Sequence, residues 1–249
     1  MVAKIDRTGE IKTNTFGSIM IITNYKSCRS IDVYFPEYKW TKYNSAYKEF
    51  SNGNIKCPYE PRTFNIGYMG EGEYDFYKNT KIYTTWSEML RRCYNKKYQS
   101  KEPTYIGCEV CKEWYNFQTF AKWFEENYYE VKNEGMALDK DILIKGNKIY
   151  SPKNCVFVPK RINNLFTKNN SSRGSLPIGV RELPSGKFQA YCNNKYNKWN
   201  SIGTYPTINE AFNAYKEYKE LLIKEIADEY KIYIYLQSYM MRCINMRLK

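Results

Sequence analysis

Between Arg92 and Asn163 the chain sets out side chains whose types and order suit metal and phosphate chemistry. Arg92-Cys93-Tyr94 comes first, followed by Gly107-Cys108-Glu109-Val110-Cys111 with Trp114 and Phe117 behind it. Leu138-Asp139-Lys140-Asp141 and Tyr150-Ser151-Pro152-Lys153-Asn154-Cys155 come next, and Asn163 closes the series. Cys108 and Cys111 form a C-x-x-C pair, and with Cys93 and Cys155 they make a four-thiolate set of the kind that tetrahedral Zn²⁺ takes. Such a site would brace a domain with a limited core. Cys93 also falls on the apolar face of a helical repeat, where it would be an ordinary buried thiol, so both readings of the set stand. Cys28, Cys57, Cys192 and Cys243 have no ligand spacing. There is no histidine anywhere in the 249 residues, so any chemistry must proceed without an imidazole base or ligand.

The elements that must hold these residues follow from local pattern. Ser18–Ile22 and Ser30–Phe35 are β-branched and aromatic runs, bounded by the turn signals Gly17, Asn24 and Pro36. Phe50–Ile55, with Asn52-Gly53 at its centre, reads as a hairpin turn, which makes residues 1–68 a small β-barrel or open sheet. Gly67, Gly70 and Gly72 mark a joint and lack the Lys-Ser/Thr ending of a phosphate loop. Trp86, Met89, Leu90 and Cys93 recur at helical spacing, and a second helix is predicted over about 116–126 with Phe117, Phe120, Ala121 and Phe124 inward. The polar stretch Thr167–Ser175 reads as a linker. Strand-like runs follow at 178–181, 187–191 and 199–203, then a helix opened by the capping box Thr207/Glu210 and carrying Ile208, Ala211, Phe212 and Tyr215. A last helix is predicted over 232–249, ending in Arg242, Arg247 and Lys249. The fold class is therefore α+β, in three modules at 1–68, 74–168 and 176–249.

Charge narrows the partner. Lys and Arg outnumber Asp and Glu by 39 to 26, a formal +13, which points to a polyanion, and nucleic acid is the commonest one. No run approaches the roughly 18 apolar residues of a spanning helix. No signal peptide opens the chain, so a reducing, cytoplasmic setting is expected, where clustered cysteines serve as metal ligands rather than disulfides. Aromatic residues make up 17%, with 26 Tyr. That share fits an AT-rich genome and also fits base stacking, and composition does not separate the two.

The spacing RCY, GCEVCKEW, F, LDKD, YSPKNCVFVP, N resembles the HNH-like endonucleases of phages and mobile elements over roughly Tyr83 to Lys168. The resemblance implies a ββα-metal unit: a strand over 138–141, a strand over 155–158, and a helix holding Asn163. In that pattern Asp139 binds a divalent metal, Mg²⁺ or Mn²⁺, Asn154 orients the base and Asn163 completes the metal site. Lys140 stands where the family keeps its catalytic His. Free lysine titrates near 10.4, and bringing it to about 7 takes roughly 4–5 kcal/mol, against which Asp139 and Asp141 push. Lys140 is therefore expected to hold the phosphate while Asp141 or a metal-bound hydroxide handles the proton. Residue by residue, Asp139 and Lys140 also fit a solvated turn, and Asn154 after Pro152 fits a plain turn residue.

Residues 178–227 resemble an AP2-type DNA-binding domain, through Gly179-Val180, Lys187-Phe188-Gln189-Ala190, Ile202-Gly203-Thr204-Tyr205, Thr207 and Glu210-Ala211-Phe212-x-Ala214-Tyr215. The resemblance implies a three-stranded sheet on one helix, with Arg181, Lys187, Gln189, Tyr191, Lys198 and Trp199 facing double-stranded DNA. Phe188, Ala190, Ile202, Phe212 and Tyr215 would form the core. The pairing of the two modules resembles phage-encoded homing endonucleases, and implies metal-dependent DNA cleavage in a bacterial cell. The alternative is a DNA-binding protein that keeps the fold without catalysis, in a regulatory or counter-defence role.

Overall fold

The computed structural model describes residues 5–165 and 175–229. The 232–249 helix, Cys243 and all of the predicted linker but Ser175 lie outside the described residues. The chain is mixed α+β, and its contacts divide it into two compact units. One takes the residues up to Tyr128 together with Asn147–Asn154, and the other takes Tyr129–Gly146 and the residues from Cys155 onward. The predicted 74–168 module is thus shared between the two.

In the first unit, β1 (Ile11–Thr13), β2 (Ile19–Ser27), β3 (Ser30–Phe35) and β4 (Trp40–Ser45) form an antiparallel meander. Alternation decides its faces: Met20, Ile22, Ile31, Val33 and Phe35 are fully buried together with Phe50 of α1 (Tyr47–Ser51). Of the two forms expected, this is the open sheet. Two expectations need correcting. Asn24 does not end a strand, because β2 passes through it on an irregularity of register and turns only after Ser27. Asn52-Gly53 is the C-terminal cap of α1 rather than a hairpin turn, with Gly53 at φ +71° and its N–H bonded to the Phe50 carbonyl.

The rest of this unit is helical and aromatic. α2 (Thr80–Tyr94), α3 (Lys96–Lys101) and α4 (Phe117–Asn127) surround the short β5 (Glu109–Val110). Trp86, Leu90, Trp114, Phe117 and Phe120 are buried, and the Trp86 indole N–H donates to the Trp114 carbonyl at 2.7 Å. Asn116 caps α4, its side chain accepting from the Gln118 N–H at 2.9 Å. The 67–72 glycines are no joint. A Cβ at Gly67 would lie 2.5 Å from Leu90 and 2.7 Å from Trp86 of α2. One at Gly70 or Gly72 would meet Asn116 or Gln118, so the segment is glycine because it packs hard on its neighbours.

In the second unit, β6 (Met136–Asp139) pairs antiparallel with β8 (Val156–Pro159), which runs directly into α5 (Lys160–Leu165). The intervening β7 (Ile149–Tyr150) belongs to the first unit, where it pairs in parallel with β5. β9 (Val180–Glu182), β10 (Phe188–Asn193) and β11 (Trp199–Tyr205) form an antiparallel sheet, and α6 (Ile208–Glu229) packs on it. The Thr207 hydroxyl and N–H bond the Glu210 carboxylate, and Thr207 Oγ accepts from the Glu210 N–H, which is the predicted capping box.

One core serves both parts of this unit. Ile142, Val158 and Ile162 bury themselves in the same cluster as Val180, Ala190, Ala211, Tyr215, Leu222, Ile223 and Ile226. Phe188, Ile202 and Phe212 pack against it, as the alternation predicts. Gly179 admits the Tyr215 ring: a Cβ there would lie 2.0 Å from it, and the residue has φ +76°. Gly179→Ala is expected to cost about 3 kcal/mol from strain and overpacking together. Thermal melting should read this as a loss on the order of 6–12 °C, and a variant melting within about 2 °C of the parent would contradict the close approach.

Candidate functional site

Asp139 ends β6, where pairing with Val156 stops and the chain turns toward the core residue Ile142. Its Oδ1 accepts the backbone N–H groups of Asp141 at 3.0 Å and Ile142 at 2.7 Å, which fixes the turn. Burial, and then the like charge of Asp141, push the Asp139 carboxyl up to about 6, although these two N–H donors pull the other way. Lys140 is no solvated turn residue, being only 7% exposed. Its ammonium lies 3.6 Å from Asp141 Oδ2, and the Asp141 side chain is 41% exposed. The tripeptide thus holds a crowded pair of carboxylates and one buried cation, which contacts Asp141.

Asn163 lies on α5, which packs on β6 and β8, and its side chain is half buried. Asn154 follows β7 in the first unit, and its amide nitrogen donates to Asn147 Oδ1 at 3.2 Å and weakly to the Ile149 carbonyl at 3.5 Å. The turn-residue reading describes it, because a nearby Asn side chain takes its donor.

Among the described residues no three His, Cys, Asp or Glu side chains form a group that could hold a metal ion. Cys93, Cys108 and Cys111 lie in the first unit and Cys155 in the second. Cys93 and Cys155 are buried, and the Cys108 thiol reaches the Thr104 carbonyl at 3.9 Å. Burial pushes the Cys111 thiol up to about 11.

The β9–β11 sheet carries the second candidate surface. Register places Arg181 opposite Gln189, Tyr191 opposite Ser201 and Asn193 opposite Trp199, all on the face away from Ala190 and Cys192. Arg181 Nε donates to Gln189 Oε1 at 2.7 Å, and Gln189 Nε2 donates to Ser201 Oγ at 2.8 Å. The Arg181 guanidinium stands 5.6 Å from the Trp199 ring and 5.9 Å from that of Tyr191. Trp199 is 55% exposed. Lys187 and Lys198 are exposed beside the two hairpin turns. No protein-family model, curated protein or solved structure matches this chain. Its function must therefore be read from these two surfaces alone.

Sequence reasoning missed Ser201, which alternation places on the outer face and the ladder uses. It also missed Arg161. On α5, this guanidinium donates to the Lys195 carbonyl at 3.1 Å, Glu134 at 3.2 Å and Glu229 at 3.3 Å. Lys195 in turn reaches Glu225 at 2.6 Å and Glu229 at 3.2 Å. Arg161 thus ties the strand–strand–helix unit to α6 and to the β10–β11 turn. Its carboxylate partners lie 27 and 68 residues away, so no local spacing announces it. No helix is long and apolar enough to cross a membrane among the described residues.

Proposed function

We propose that the chain hydrolyses phosphodiester bonds in double-stranded DNA with a divalent metal ion, Mg²⁺ or Mn²⁺, at the end of β6, and that the outer face of the β9–β11 sheet holds the duplex. The observation that carries this reading is the crowding of Asp139 and Asp141 in one tight turn. A desolvated carboxylate beside a second one gains most from a cation. The donor set fits a hard ion, since Mg²⁺ takes one or two protein carboxylates and completes its shell with water and substrate phosphate. Asp139 would offer its carboxylate to the ion, and Asn163 on α5, which packs on β6, would be the second ligand. When bound, the ion offsets charge on the phosphate and on the leaving oxygen.

The chain's own residues do the rest. Lys140, whose ammonium lies 3.6 Å from Asp141 Oδ2, is the residue that would meet the scissile phosphate. Asp141, largely open to solvent on one side, accepts the proton of the attacking water. The second reading, a DNA-binding protein without catalysis, draws on the Lys140–Asp141 contact, in which an ammonium already neutralises part of the acidic pair. Incubation of supercoiled plasmid with the chain separates the two: metal-dependent nicking supports the first, and intact DNA that shifts on a gel supports the second.

The sheet face has its own test. Arg181→Ala should weaken duplex binding about 5–10-fold and lower the slope of log affinity against log salt by about one. Unchanged affinity and slope would remove this face from the DNA interface.

A further inference from the structure

Among the described residues, Arg92 is a cation with no acid paired to it. It lies on α2 one turn after Glu88, the acid with which an i, i+4 pair would form. Glu88 is instead bonded by Arg91. Arg92 is half buried, its Nε is shut off from solvent without a hydrogen-bond partner, and among the described residues no carboxylate pairs with it. Its surroundings come from three elements. The Tyr105 ring lies 5.6 Å from the guanidinium carbon, the Tyr150 hydroxyl of β7 is its polar neighbour, and Tyr98 of α3 stands nearby. Burial pushes the Tyr150 phenol up, so this neighbour stays neutral and cannot balance the charge.

The pocket is held in shape. Gln99 Nε2 donates to the Cys93 carbonyl at 2.6 Å, to that of Arg92 at 3.1 Å and to that of Tyr105 at 3.4 Å, joining the end of α2 to the Tyr105 loop. A second cation serves the same loop: Lys148 Nζ donates to the Thr104 carbonyl at 2.8 Å and the Ile106 carbonyl at 3.4 Å, on either side of Tyr105. A guanidinium taken from water without an anion is costly unless something fills the vacant donors. Its planar fork matches an oxyanion such as phosphate.

We propose that Arg92, with the Tyr150 hydroxyl and Lys148 on the adjoining loop, forms a phosphate-binding site in the first unit, and that its occupant is a backbone phosphate of duplex DNA. The site shares with the nuclease reading only the polyanion partner. It needs no catalysis, so neither measurement below reads cleavage.

Hydrogen exchange on the intact chain, with a 20-base-pair duplex or with inorganic phosphate, is the first measurement. The site predicts that duplex slows exchange at least about threefold over 95–106 and 148–151. Slowing by phosphate but not by duplex would overturn the assignment to DNA, and no slowing by either would overturn the site. The second is Arg92→Gln, checked for folding by circular dichroism. It should lose affinity for duplex about fivefold and lower the salt slope by about one. A folded variant with unchanged slope and affinity would overturn the proposal. If the variant does not fold, the exchange measurement on the unaltered chain decides.

Discussion

Asp139→Asn is expected to abolish metal-dependent cleavage and, in the same protein, to raise the melting temperature. The amide oxygen can keep both N–H bonds of the turn, so the fold loses nothing, whereas the negative ligand is gone. The cutting rate should fall by on the order of 10³-fold or more. The stability gain follows from the direction of the carboxyl's shift. Its folded-state value lies above its unfolded one, so the proton stabilises the fold and that contribution is lost as pH rises through about 6. Above that value the ionised group is a standing cost, which Asn removes. In EDTA at pH 7.5 the variant should be more stable by on the order of 1–2 kcal/mol, and near pH 4 the difference should shrink. A variant that melts lower than the parent at pH 7.5, or that still cuts, contradicts this account of Asp139.

A chain ending at Gly174 should lose more than its affinity for DNA: its β6–β8–α5 unit should not stay folded. Ile142, Val158 and Ile162 bury themselves against side chains of β9, β10 and α6. Each buried aliphatic side chain is worth about 1.5–3 kcal/mol relative to exposure. Losing this shared core, with the Arg161 bonds to Lys195 and Glu229, removes stability comparable to the 5–15 kcal/mol that holds a typical domain together. Amide exchange over 136–162 should therefore approach unprotected rates in the truncated chain. Native-like protection there would show that the strand–strand–helix unit stands alone. Loss of binding on truncation cannot by itself identify the sheet as the DNA face, which is why Arg181→Ala is the cleaner variant.

Local pattern was legible, and pairing across distance was not. The β-branched run of β3, the Asn116 cap of α4, the Thr207/Glu210 box and the three strands of the last sheet all follow from residues within a few positions of each other. β4 was missed because Trp40–Ser45 has no run of aliphatic β-branched residues, and it is a strand because β3 offers it an edge. The joint expected at Gly67 failed for a similar reason: Gly67 answers to Trp86 and Leu90, and Gly70 and Gly72 to Asn116 and Gln118, which a local reading does not weigh.

At the candidate site, Asp139, Lys140 and Asp141 were legible as neighbours in sequence, but the burial of Lys140 was not, since lysine is so often exposed. Asn154 shows a further limit: its order along the chain suggested a role beside the metal, and its bond to Asn147 was not legible there.

The central claim is metal-dependent cleavage, and plasmid nicking by the full chain tests it most directly. Supercoiled and phage DNA are incubated with the chain in Mg²⁺, in Mn²⁺ and in EDTA, with Asp139→Ala alongside. The account predicts relaxed or linear product in either metal, none in EDTA and none with the variant. Intact DNA under every condition, in samples whose gel shift shows the DNA is bound, would contradict it and leave the strand–strand–helix unit a binding scaffold. Cutting that survives EDTA or the loss of Asp139 would contradict it too.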